Sequence, residues 1–272
     1  MAVSQRYSWF RHVKAVGTAV LFALMMVPLL VPHTSDAQTK LDYNEGKDIS
    51  TYDVIRTTGA ITVDGKLDEA DWKRAEERVC KNARTGEAVL PLKTTVRLLW
   101  DDTCLYVAFY CEDPDAWTTF TEEDDPVWNE EVAEIFIDAD ADGFTYIEYD
   151  ISPMNVKSDL YITNAGKRLN GRTRGWRDWD FRTAKSAVYV EGDGRNYGTD
   201  DKYWTVEVAL PFDEIWELPK IPPDDGDMWR FNAYRIERGD PEDEEDDFRA
   251  ALSPTYRNFH TPWQFAKIYF RK

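Results

Sequence analysis

The chain is 272 residues long, carries a formal net charge of −18, and is 14% aromatic with 11 tryptophans. That acidity argues against DNA, RNA or anionic lipid headgroups as partners and leaves neutral sugars and cations open. A core consumes some of the aromatic rings, and the remainder suit a surface that meets a ligand.

Arg6, Arg11 and Lys14 precede an apolar run over residues 15–31, broken only by Gly17, Thr18 and Pro28. Ser35 and Ala37 then place small residues at the −3 and −1 positions of a cleavage site. This layout predicts a signal peptide over residues 1–37, cleaved after Ala37, and a protein that is periplasmic or secreted. The rival is an uncleaved membrane anchor, because the run approaches the lower length of a span. No Cys follows the run, which argues against a lipid anchor, and no second apolar stretch approaches membrane length. Cleavage removes three basic groups and one acidic group, taking the formal charge from −18 to −20.

Residues 38–58 are polar and read as a leader that lies on the domain or stays loose, with one domain over residues 59–272. A strand is expected at 61–63, a turn at Asp64-Gly65, and a short helix over 69–75 capped by Asp68, with Trp72 inward. Strand 94–100 puts Val96, Leu98 and Trp100 on one side, turns at Asp101-Asp102 and returns as 104–111. Further strands are expected at 132–138, 145–151, 158–163, 184–190, 203–210, 230–237 and 265–270, with a second brief helix around 212–216. About ten closely spaced strands with little helix predict an all-β, jelly-roll-like β-sandwich. There is no internal repeat, and the seven acids in residues 240–247 read as a solvated loop. Cys80, Cys104 and Cys111 read as buried free thiols, with a Cys80–Cys111 or Cys80–Cys104 disulfide left open by the expected export.

Five pieces follow one another along the chain. They are the string from Val63 to Trp72 (VDGKLDEADW), the hairpin from Val96 to Phe109, Trp128, Glu134-Ile135-Phe136-Ile137-Asp138, and Phe259-His260-Thr261-Pro262 with Phe265. In that order they resemble the family 9 carbohydrate-binding modules and their single-domain secreted relatives, over roughly residues 61–270. The resemblance implies a jelly-roll sandwich that holds a terminal sugar between two aromatic rings, with calcium as a structural ion. It places Trp128 at the first sandwiching ring, Phe259 at the second, where the family has Trp, and Glu134 at a sugar-binding acid. Tyr234 and Tyr256 fall on two amide positions of the family and Asp150 on an arginine position, so specificity is expected to differ.

The residues point the same way without the family. Trp128 sits among Asp124, Asp125, Pro126, Asn129, Glu130 and Glu131, a polar loop where no strand core calls for an indole. A flat ring beside carboxylates suits a sugar, which has an apolar C–H face and a polar rim. The competing reading folds Trp128 back as a plug of the sandwich end. Alternation puts Glu134, Phe136 and Asp138 on one face, where Glu134 could accept bonds from vicinal hydroxyls or be an exposed strand-end charge. Asp138, Asp140 and Asp142, followed by Gly143, can wrap a calcium ion or form a plain acidic hairpin turn, the favoured alternative. The helix–loop–helix calcium motif is not met, since its twelfth position is Tyr149.

No catalytic residue is assigned. Glu130, Glu131, Glu134, Glu148 and Asp150 could supply a glycosidase pair, but among 51 acids such neighbours arise by chance. There is no Gly-x-Ser-x-Gly elbow, no cluster with zinc-ligand spacing, and His260 is the one His beyond the leader. The expected function is therefore binding of a mono- or oligosaccharide, in support of a separate polysaccharide-degrading enzyme. Two alternatives stand beside it: a structural surface protein with a vestigial groove, and a haem b electron-transfer sandwich ligated by Met154 and Lys157. Two ligands three residues apart would struggle to reach opposite faces of one iron.

Overall fold

The structure, a computed structural model, describes residues 48–89, 92–164, 173–218, 220–239 and 247–272. The expected signal peptide and its cleavage point, and all of the acidic run except Asp247, lie outside the described residues.

In chain order the strands are β1 (Thr51–Arg56), β2 (Arg78–Val79), β3 (Lys81–Asn82), β4 (Thr94–Trp100), β5 (Cys104–Glu112), β6 (Val132–Asp138) and β7 (Thr145–Ile151). They continue with β8 (Lys157–Asn164), β9 (Thr173–Trp176), β10 (Lys185–Val190), β11 (Tyr203–Pro211), β12 (Met228–Glu237), β13 (Phe248–Ala251) and β14 (Ala266–Arg271), and one short helix, α1 (Ala70–Arg74), precedes β2. The main path of the sheet runs β10-β11-β5-β4-β1-β14-β12-β6-β7-β8-β9, with β13 on β12, β3 on β13 and β2 on β4.

Valines and isoleucines at alternate positions drive this arrangement, because a pleated strand sends every second side chain to the same face. Val96 and Leu98 of β4, Val107 and Phe109 of β5 and Val206 of β11 share one buried cluster with Ile135 of β6, Ile147 of β7 and Phe231 of β12. Opposite halves of the sheet therefore close on a common core, giving the two layers of a jelly-roll-like sandwich. Each large apolar side chain so buried stabilises by roughly 1.5–3 kcal/mol.

Residues 51–56, read from sequence as leader, form a strand inside the sheet. β1 pairs in parallel with both β14 and β4, and buries Tyr52 and Val54. The domain thus begins earlier than residue 59. Residues 61–63 form no strand; Ile61 and Val63 instead pack beside Trp72. Glu69, not Asp68, holds the N-cap position of α1, and it makes no side-chain capping bond. The second expected helix is a single 3-10 turn, Phe212–Glu214.

The string around α1 is a latch. Trp72 is buried, and its indole N–H donates to Glu207 Oε1 at 2.7 Å. Glu207 Oε2 accepts the Asp64 and Gly65 amides at 3.0 Å each. Burial raises the Glu207 carboxyl to about 7, and those three donors oppose the shift. All three cysteines are free thiols, Cys80 and Cys111 within the core, where burial pushes the Cys111 thiol up to about 12.

Candidate functional site

The face of the sheet turned away from the main core carries the site. On β6, Glu134 and Phe136 alternate with the core residues Ala133, Ile135 and Ile137. Cross-strand register sets Glu134 opposite Asp150 of β7 and Tyr234 of β12, and Phe136 opposite Glu148. Leu160 and Ile162 of β8 extend the same face. A cavity of about 700 Å³ lies over it, walled by Trp128 and Phe259, floored by Glu134, Phe136, Glu148, Leu160 and Ile162, and rimmed by Arg84, Arg238, Arg249 and Arg257.

Both ring walls are held from behind. Trp128 lies in a 3-10 turn, Val127–Asn129, anchored by fully buried Val127. The Arg177 guanidinium carbon stands 5.0 Å from the Trp128 ring centroid, a cation–π contact. The Trp128 carbonyl accepts from Arg238 Nη2 at 3.2 Å. Phe259 stacks on Tyr234, centroids 3.9 Å apart and planes 10° from parallel. The Tyr234 hydroxyl donates to the Phe259 carbonyl at 3.0 Å, fixing the loop that carries the ring.

The floor is polar and short of partners. Glu134 is 2% and Glu148 6% exposed, and Oε2 of each lacks a hydrogen-bond partner within the protein. Burial lifts Glu134 well above the ordinary carboxyl range, Glu148 adds to the rise, and Arg249 and Arg238 oppose it. Burial raises Glu148 to about 8. His260 Nδ1 and the Tyr146 hydroxyl share a 2.8 Å hydrogen bond, and burial lowers the imidazole to about 4, so it is neutral at pH 7. A buried oxygen without a partner carries a desolvation penalty, which a ligand hydroxyl would relieve.

Of the residues named from sequence, Trp128, Glu134 and Phe259 meet on this cavity, and Trp128 is half-buried on its wall, not a plug of the interior. The other three do not line it. Tyr234 is fully buried behind Phe259. Asp150 is on the same side of β7 but wholly buried, with both oxygens unpartnered and its carboxyl pushed far up by burial and then by Glu148 and Glu134. Tyr256 is exposed with φ +61° and abuts Gly86. Among the other acids considered, Glu130 accepts from the Thr118 hydroxyl at 2.8 Å and the Thr119 amide at 2.7 Å, and Glu131 from the Arg238 amide at 2.8 Å. Those two are committed to holding the Trp128 loop.

Sequence reading missed the four rim arginines and the polar wall of Asn129, Asn258 and His260. It also missed the buried network behind the Trp128 loop. There Arg235 bonds Asp113 Oδ2 at 2.8 Å and touches Glu237, and Trp204 Nε1 donates to the same Asp113 oxygen at 2.9 Å.

Asp138, Asp140 and Asp142 do converge, with carboxylate oxygens within 4.8 Å of one another. The turn also satisfies itself in part: Asp138 accepts the Asp142 and Gly143 amides at 3.1 and 3.0 Å. Burial, then Asp140 and Asp142, raises the Asp138 carboxyl to about 8. Three oxygen donors at this spacing fit a hard cation. Lys157, named with Met154 as a haem ligand, instead pairs with Glu123 at 2.8 Å, and neither residue lines the cavity.

Residues 63–270 match the family described as Carbohydrate family 9 binding domain-like. An extracellular protein of Arthroderma benhamiae is 29% identical over 182 residues, 65% of this chain and 78% of that protein. Endo-1,4-beta-xylanase A of Thermotoga maritima is 31% identical over 98 residues, 36% of this chain and 9% of the enzyme. A candidate carbohydrate-binding protein from Bacteroides uniformis superposes with a TM-score of 0.64 at 12% identity, covering 82% of this chain and 100% of its own. A family 9 carbohydrate-binding module of Caldicellulosiruptor kristjanssonii in complex with cellotriose gives 0.52 at 18% identity, covering 80% and 93%. At these identities the structural likeness speaks for the fold. The family match covers most of the chain, from the Gly65 turn to the last strand, and the chain therefore belongs to the carbohydrate family 9 binding domain-like family.

Proposed function

We propose that this chain binds a mono- or oligosaccharide in the cavity between Trp128 and Phe259. One observation carries the reading: two aromatic walls and two buried, under-bonded carboxyls share one cavity of about 700 Å³. Arg177 behind Trp128 and Tyr234 behind Phe259 leave a second face of each ring for sugar C–H groups. Glu134 and Glu148 supply oxygens to vicinal hydroxyls. Family 9 modules solved with cellotriose and with glucose support a saccharide as the ligand class. Modules of this family bind and do not catalyse.

Export through the signal peptide, with the binding domain free outside the cytoplasm, agrees with the extracellular fungal relative. Support of polysaccharide breakdown by a separate enzyme agrees with the short match to the xylanase. A glycan array probed with the full chain tests the binding claim. Retention on saccharides is the expected result, and silence across neutral and charged glycans alike would leave the vestigial groove as the better description.

As a second element of the proposal, Asp138, Asp140 and Asp142 hold a calcium ion that ties β6 to β7. Calcium is expected to raise the melting temperature of the wild type and to leave Asp138→Asn unmoved, read by differential scanning calorimetry with and without chelator. Equal melting curves for the wild type would show a self-capped turn.

A further inference from the structure

The saccharide cavity is a local reversal of charge in an acidic protein. The full chain is formally −18, yet four arginines face this cavity against two carboxyls. A second cleft, of about 300 Å³, follows the general trend, with Asp178, Asp180, Asp213 and Glu214 against Arg182.

Three of the four guanidiniums come from one knot of backbone. The Ala83 amide donates to the Arg249 carbonyl at 2.8 Å, and the Ala83 carbonyl accepts the Thr255 and Tyr256 amides at 3.1 and 2.8 Å. β13 pairs β3 at Ala250↔Asn82, so Arg84, Arg249 and Arg257 rise from neighbouring chain on one wall. Arg238 is neutralised by its ion pair with Asp247. Among the described residues, no carboxylate lies within ion-pair distance of Arg84, Arg249 or Arg257. Counting the described residues alone, one of these guanidiniums stays uncompensated with Glu134 and Glu148 both ionised, and two do with either one protonated. Like charges gathered on one wall repel unless an anion joins them.

We propose that the ligand of this cavity is an acidic saccharide, whose carboxylate or sulfate is clamped by Arg84, Arg249 and Arg257 while Trp128 and Phe259 hold its ring. This rests on the carbohydrate reading above and narrows it to a substrate class. Guanidinium geometry suits the choice, since its planar fork meets carboxylate and sulfate oxygens in pairs. The floor stays suited to hydroxyls: Glu134 and Glu148 accept or donate at the sugar ring, away from the anionic substituent.

The test is calorimetric titration of the full chain with glucose, glucuronate and glucose 6-sulfate at one ionic strength. At least one anionic sugar is expected to bind roughly tenfold or more tighter than glucose, as a charge-assisted bond predicts. The carboxylate and sulfate arms identify which anion the wall prefers. In Arg84→Gln/Arg257→Gln that preference should collapse towards one, and in Arg84→Lys/Arg257→Lys it should survive in part. Both positions are exposed, so the melting temperature of each variant serves as the folding control. Glucose binding as tightly as both anions overturns the acidic class and leaves the carbohydrate reading standing. Absence of binding by all three sugars, together with silence on the glycan array, removes both. A preference that persists in the glutamine variant overturns the clamp.

Discussion

Gly65 sits at φ +84°, and a Cβ there would lie 2.8 Å from the Tyr189 nitrogen and the Val188 carbonyl carbon. The glycine is therefore required twice, for the left-handed turn and for the close approach to β10. Gly65→Ala is expected to destabilise by about 1–3 kcal/mol, measured by urea denaturation, and a change within error would mean the latch is not load-sharing. The VDGKLDEADW string that opens the family resemblance is thus scaffold, whereas in the proposed function ligand chemistry falls to Trp128, Phe259, Glu134 and the arginines. Trp128 was legible as a cavity residue because an indole in a polar loop is not called for by a strand core. Tyr234 was named through the resemblance alone, and no local pattern says that Phe259 covers it. The arginines were invisible, because positions 84, 238, 249 and 257 meet only through the β12-β13-β3 register, which no local pattern specifies.

At the scale of the element, β6 and β7 carry three buried carboxyls side by side, Glu134, Glu148 and Asp150, with Glu134 and Asp150 directly opposed. Glu148 is raised by burial to about 8, against about 4.3 for an exposed glutamate in the unfolded chain. Between those values the folded protein binds the proton and the unfolded chain does not. The contribution is present below about pH 4 and is lost as pH rises towards 8. Urea midpoints are expected to fall from pH 5 to pH 8, and Glu148→Gln, which fixes the neutral form, should flatten the slope. A midpoint that rises over this window in the wild type would contradict a protonated floor. The longer strands were legible from alternating Val and Ile. The short strands β2, β3, β9 and β13 were not, nor was β1, since TYDVIR offers only Tyr52 and Val54 to the core and sits in a polar stretch.

Across the whole molecule, β1 is the join between the layers. It bonds β14 along five residues and β4 along two, both in parallel. A chain beginning at residue 57 would leave two unpaired edges at the centre of the sheet, each an aggregation hazard. Loss of cooperative unfolding is expected for that truncation, followed by circular dichroism, and a sharp transition near the wild-type temperature would assign β1 a peripheral part. The jelly-roll itself rests on the core shared by the two halves of the sheet, and it positions the Trp128 and Phe259 loops over one sheet face.

Tryptophan fluorescence of the wild type and Trp128→Ala, titrated with cellobiose and with glucuronate, tests the ring-walled saccharide site most directly. The wild type is expected to show a saturable change with at least one sugar. Trp128→Ala, unchanged in melting temperature because its ring is half-exposed, should lose roughly tenfold or more in affinity, the scale of an anchoring aromatic. Equal affinity in wild type and variant would contradict a saccharide held against that indole.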